Sequence, residues 1–358
     1  MEYRNFPPEI RCQIYQQITN YADIENLLSI YNDDDDDDED DEDEEESSER
    51  ELIYRCIDRI ENVMTHGFYY LHLDYISKFP YLKKVEAPIY LSTFDDIMRI
   101  KNLRFLTKAT FLNGYNIPLE ETIYHILKII PNNLRLVYFT DLDPPILYHY
   151  NRDTKFLGIA SDTIDSVIIN STINDIISYF PLQELYLDIP SDSSYPEIIT
   201  AAINAHGPNI LISSTKYNVS LILPIAHNVL IRQDFGPNDF PLFLGDIIMR
   251  VYPNIRRLHG GFTLNSFIHV QNLLPNVQSI GVYIPNDPYA GIDDISNMLS
   301  LVNRNIREIH FYTEKSMLPL ITRYITRYSG ELKISVGLIT QIRNISDEMY
   351  IDAYLIAG

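Results

Sequence analysis

Nine histidines, two cysteines and an unbroken run of fourteen carboxylates are the side chains of this chain best suited to chemistry. The histidines (His66, His72, His125, His149, His206, His227, His259, His269 and His310) are scattered, and none stands at zinc-ligand spacing from Cys12 or Cys56. His259-Gly260-Gly261 has the look of an oxyanion strip, but no G-x-S-x-G elbow supplies a nucleophile, so the strip reads as a turn after a strand. No P-loop, dinucleotide glycine fingerprint or H-E-x-x-H pair occurs. The carboxylates Asp33 to Glu46 lack the glycine and alternating ligands that shape a calcium cage. These residue types point away from catalysis, metals and cofactors and toward binding.

Fourteen of the net −22 charges sit in that one run, leaving −8 for everything else. Like charges this dense repel one another and bury nothing, so the run predicts a disordered loop. It would attract a basic protein over a Debye length of about 8 Å. No broad basic surface remains for nucleic acid, whose affinity rests on Lys and Arg meeting phosphates. There is no membrane-length apolar run and no signal peptide at Met1, and two cysteines are too few for a disulfide framework. A soluble intracellular protein, cytoplasmic or nuclear, is expected.

The elements that would position any binding residues are marked by proline. Helical-looking stretches stop, and strand-like runs restart, at Phe79-Pro80, Pro131-Asn132, Phe180-Pro181, Pro208-Asn209, Pro253-Asn254 and Pro275-Asn276. Proline lacks the N–H a helix needs and biases its neighbour toward extended backbone. Strand starts fall near Leu82, Leu103, Leu134, Ile164, Leu182, Ile210, Val229, Ile255, Val277, Ile306 and Leu332, a period of about 25 residues. Amphipathic stretches such as Leu119 to Ile130 and Ile292 to Val302 fill the intervals as helices. One strand and one helix cannot bury an apolar face, so neighbouring units must stack.

After several boundaries the apolar spacing is L-x-x-L-x-L, as in Leu182/Leu185/Leu187, Val277/Ile280/Val282 and Ile306/Ile309/Phe311. This pattern resembles the leucine-rich-repeat family, although the family's later Asn or Cys forms no regular ladder here. The resemblance implies an α/β horseshoe solenoid over residues 68–358, with about 10–11 irregular repeats and parallel strands on the concave face. Strand alternation sends the L-x-x-L-x-L positions inward and the residues between them to the open face. That rule nominates Tyr138, Tyr186, Asp188, His259, Tyr283, His310 and Tyr312 as an exposed protein-binding surface, with Glu86, Thr107 and Thr140 beside them.

Residues 1–67 read as a small all-α module interrupted by the acidic loop. Pro7, Pro8 and Glu9 suit a helix's first turn, and Ile10, Ile14 and Ile18 form one stripe. Asp23 would cap a second helix carrying Ile24, Leu27 and Leu28. Ser48 and Glu51 form a capping-box pattern for a third, from Glu49 to Thr65. Phe6-Pro7-Pro8-Glu9-Ile10, followed by Ile14-Tyr15 and Asp23-Ile24, resembles the first half of an F-box. Where that family continues with a basic, Trp-containing segment, this chain has the acidic run, and it has no Trp anywhere. The resemblance implies Pro7, Pro8, Ile10, Ile14, Ile24 and Leu28 as contacts for the adaptor of a cullin–RING ubiquitin ligase. The residue bias also resembles repeat proteins of giant viruses of amoebae. The expectation is a non-enzymatic, F-box-like subunit that captures a protein partner on its repeats for ubiquitin transfer. The alternative is a leucine-rich-repeat scaffold with no ubiquitin role, whose N-terminal helices cap the solenoid.

Overall fold

A computed structural model describes residues 7–15, 62–63, 71–73, 82–85, 89–91, 93–103, 106–113, 119–129, 134–140, 146–161, 174–189, 195–232, 248, 250–262, 266, 268, 271–284, 290–328 and 330–342. The chain is mixed α/β, with mostly parallel strands, and divides into two compact units. One is Met1–Asp153 with Met349–Gly358, and the other is Thr154–Glu348.

In the first unit, helix α1 (Pro8–Tyr15) begins on the proline pair as expected. Strand β1 (Asn62–Val63) pairs in parallel with β3 (Lys84–Val85). Asn62 and Val63 are therefore extended, although the apolar stripe placed them in the third helix. Val63 satisfies a helical and a strand pattern equally, and pairing with Val85 decides between them. Strands β2 (Leu71–His72), β4 (Ile89–Leu91), β5 (Lys108–Asn113) and β6 (Leu136–Thr140) run parallel in chain order. Helix α2 (Phe94–Arg99) follows β4 and is held by a capping box in which Thr93 and Asp96 serve each other's backbone N–H. Helix α3 (Leu119–Ile129) matches the predicted amphipathic stretch and buries Ile123 and Ile126. Strand β7 (Ile146–Asn151) then pairs antiparallel with β6. The period of one strand per unit does not anticipate this reversal. The expected boundary at residue 67 and the start near Ile164 lie outside the described residues.

The second unit holds β8 (Phe156–Ser161), β9 (Glu184–Asp188), β10 (Leu211–Thr215), β11 (Asn228–Arg232), β12 (Arg257–His259), β13 (Ser279–Tyr283), β14 (Glu308–Thr313) and β15 (Lys333–Leu338). Every neighbouring pair is parallel and follows chain order. Helices α4 (Tyr195–His206), α5 (Val219–Ile222), α6 (Ala290–Leu301) and α7 (Leu318–Ile325) lie between strands. Alternate strand residues, Leu185, Ile212, Val229, Leu258, Ile280 and Ile309, form one fully buried row.

The Pro-Asn boundary does more than stop a helix. Asn254 donates to the carbonyl of Pro224 (3.1 Å), Asn276 to that of Pro253 (2.8 Å) and Asn305 to that of Pro275 (2.9 Å). Asn228 does the same to Pro208 (3.1 Å). Pro253-Asn254 and Pro275-Asn276 are thus two-way connectors: the Asn reaches back one unit while the Pro carbonyl receives the next. Backbone bonds run alongside, with Gln278 N–H donating to Arg256 O, Arg307 to Gln278 and Lys333 to Arg307. These bonds fix the register in which the next strand starts.

Candidate functional site

The face of the second unit opposite its apolar row is built from three parallel rows of side chains. Strand pairing aligns Glu184, Leu211, Asn228, Arg257, Ser279, Glu308 and Lys333 in one. It aligns Tyr186, Ser213, Leu230, His259, Gly281, His310 and Ser335 in the next. Asp188, Tyr283 and Tyr312 belong to the third, as Thr215 and Arg232 do. The parity rule therefore assigns the nominated residues of this unit to one face.

Their exposure is another matter. Tyr186 is 0% exposed, His259 3%, Tyr312 5% and Tyr283 8%, while Asp188 and His310 are half-buried. The predicted ladder of free rings is instead a packed polar layer. Tyr186 stacks on Phe156 at 6.5 Å and lies under the Arg232 guanidinium, 5.8 Å from the ring centre. Long side chains from neighbouring strands, spaced about 4.8 Å apart, lie across one another and cover the rings. Tyr138 lies on β6 of the other unit, opposite Thr110 and His149.

Arg232 organises the face across β9 to β11. Its guanidinium meets Glu184 at 2.7 Å, two strands away, and both side chains are largely buried at 9% and 19% exposure. Ser213, on the strand between, donates to the same Glu184 oxygen. Sequence reasoning did not nominate Arg232. The signal was present: it is the one cation in the strand Asn-Val-Leu-Ile-Arg, at the same parity as Leu230.

On the adjoining strands, β12 to β14, His259 is the hub. Arg257 Nε can only donate, and it lies 3.3 Å from His259 Nε2, so that nitrogen accepts and Nδ1–H donates to Tyr312 Oη at 2.7 Å. Ser279 Oγ sits 3.0 Å from the same Nε2. Burial, then the charges of Arg257 and His310, hold the His259 pKa well below the usual imidazole value. Burial pushes Tyr312 up to about 12. Both are neutral donors and acceptors near pH 7. His310 stacks on His259 at 5.9 Å and hydrogen-bonds Ser335 at 2.8 Å.

Gly281 makes this cluster possible. It lies between His259 and His310, and a Cβ there would meet the Tyr312 ring at 2.6 Å and the His259 ring at 2.7 Å. With no side chain on the middle strand, rings from the two flanking strands close over it.

A serine hydroxyl near an unprotonated imidazole nitrogen is the geometry of a nucleophile and its base. Here Arg257 competes for that nitrogen, and a tyrosine rather than a carboxylate stands at Nδ1. The arrangement orders a face. His259 is the last residue of β12, and Gly260-Gly261 form the bend that follows it. Among the described residues, no group of three His, Cys, Asp or Glu could hold a metal ion, and no helix is long and apolar enough to cross a membrane.

The N-terminal candidates contrast with the covered rings. Pro7, Pro8 and Ile10 are exposed, Ile10 at 39%. Ile14 lies on α1. Ile24, Leu28, Glu86 and the acidic run lie outside the described residues. No protein-family model matches the chain, and no curated protein is similar to it.

Proposed function

We propose that this protein is a non-catalytic capture subunit, in which a leucine-rich-repeat solenoid holds a protein partner and an F-box-like N-terminus engages a cullin–RING adaptor. The observation that carries this reading is the exposure of Pro7, Pro8 and Ile10 at the start of α1. Residues serving only to cap a stack would be buried against it, whereas exposed apolar side chains at a helix start are what a partner covers. Eight parallel strands in chain order, with Asn-to-proline-carbonyl bonds at three of their boundaries, support the repeat half of the reading.

Co-precipitation of the full chain with a purified cullin adaptor tests it. Wild type is expected to retain the adaptor and Ile10→Asp to lose it. Because Ile10 is exposed, the substitution leaves the circular dichroism spectrum unchanged. Retention of the adaptor by Ile10→Asp, or its absence from the wild-type precipitate, overturns the ubiquitin role.

A second reading is a repeat scaffold whose N-terminal part caps the stack. The pairing of β1 with β3 favours it, because it ties residues ahead of the first expected repeat into strand structure.

A further inference from the structure

The strand face of the second unit already carries an occupant. After β15 the chain makes a 3₁₀ turn, Ile339–Ile342, which packs back onto β11 and β14. Ile339 rests on Leu230 and Tyr312, with Leu211 beside them. The Gln341 carbonyl accepts from Arg232 Nη1 at 3.5 Å. The Gln341 carboxamide oxygen and His310 Nε2 share the space above Gly337, which a Cβ would fill.

Three features set this contact apart from ordinary core packing. Leu211 and Leu230 lie at the outward parity of their strands, and they are the aliphatic members of rows that also hold Glu184, Asn228, Arg257, Ser213 and His259. The core does not require aliphatic side chains there. The turn is held through the Ile339 contact, a long hydrogen bond from Arg232 and the Gln341 carboxamide beside His310, and Thr340 and Gln341 remain exposed. Finally, every residue of β15 after Lys333 is only half-buried, whereas β13 is buried from Ile280 to Tyr283. Segments with so little burial open at low local cost.

We propose that Ile339–Ile342 is a built-in pseudo-ligand, and that its footprint defines what the face captures. The ligand is a peptide segment with an aliphatic side chain for the Leu211/Leu230/Tyr312 spot and, two residues on, a carboxamide residue whose main-chain carbonyl meets Arg232. This rests on the capture reading above and gives it a ligand class and a closed state. A partner binds by displacing the turn, so its apparent affinity falls by the fraction of molecules that are closed.

The probe is a fluorescein-labelled peptide of residues 336–343, titrated into the full chain and read by anisotropy. Ile339→Asp removes the aliphatic anchor from an edge segment and so opens the face. This variant is expected to bind the peptide at least about tenfold tighter than wild type, as a face closed nine-tenths of the time requires. Adding Leu211→Asn is expected to abolish that gain, with the circular dichroism spectrum unchanged. Equal affinity for wild type and Ile339→Asp overturns the proposal, as does no binding to a folded Ile339→Asp chain. So does a wild-type dimer by light scattering that Ile339→Asp makes monomeric, since the turn is then exchanged between copies. Failure here with adaptor co-precipitation intact removes the pseudo-ligand and leaves the ubiquitin role. Peptide binding without adaptor retention does the reverse.

Discussion

Strands β8 to β15 run parallel without exception, whereas in the other unit β7 turns back against β6. Both units share aliphatic spacing: Leu134 and Val137 are as buried as Leu182 and Leu185. Among the described residues, side-chain bonds from Asn to proline carbonyls mark the parallel unit. There the Asn side chains reach back at or just ahead of four strands, β11 to β14. Ahead of β7 stands Pro144-Pro145, and the chain pairs locally as a hairpin. Aliphatic spacing specifies what is buried, and the Asn boundary bonds accompany the parallel register of β11 to β14. The ion pairs differ likewise. Arg232–Glu184 is largely buried and spans three strands, while Arg135–Asp153 is 63% and 58% exposed at 3.4 Å.

That contrast breaks most visibly at Arg232. Arg232→Ala strands a largely buried carboxylate and is expected to cost on the order of 3–5 kcal/mol in urea melts of the second unit. Acid is the next largest lever. The folded His259 pKa is depressed, so below about 6.5 the unfolded chain takes up the proton first and favours unfolding. Stability of the second unit is expected to fall by up to about 1.4 kcal/mol per pH unit below that point, until the folded pKa is reached. Urea melts between pH 7 and 5 check this, and His259→Phe should flatten the slope.

Gly281→Val forces a side chain into the His259–Tyr312 contact and should cost about 1–3 kcal/mol, read as a lower urea midpoint. Asn276→Ala removes one connector and is expected to cost about 1 kcal/mol. Hydrogen-exchange protection should drop first in β13, the strand that follows it. Arg135→Ala is the smallest effect, less than about 1 kcal/mol by the same melts. A loss at Arg135 equal to that at Arg232 would erase the distinction between the units.

Much of the second unit was legible because burial and alternation act locally. Val229 and Leu332, whose units fit the repeat least well, nonetheless stand at strands β11 and β15. Parity likewise gave the face on which Tyr186, His259 and Tyr312 lie. What parity cannot give is coverage. Tyr186 is hidden by Arg232 from two strands away, and Tyr312 by Ile339 from beyond the last strand. Both contacts join residues far apart in sequence, where no local period reaches. The β7 reversal escaped for a related reason, since an apolar run ahead of a turn suits either direction of pairing. At α1 the reading needed only the helix start, and Pro7, Pro8 and Ile10 are exposed there.

The central claim, capture on behalf of a ubiquitin ligase, is tested most directly by titrating a purified cullin adaptor into the full chain by calorimetry. Three proteins serve: wild type, Ile10→Asp, and Met98→Asp, which alters an equally exposed apolar residue on α2 (39% against 40%). The account predicts binding to wild type and Met98→Asp and loss with Ile10→Asp alone. Binding by none of the three, or by all three equally, would contradict it.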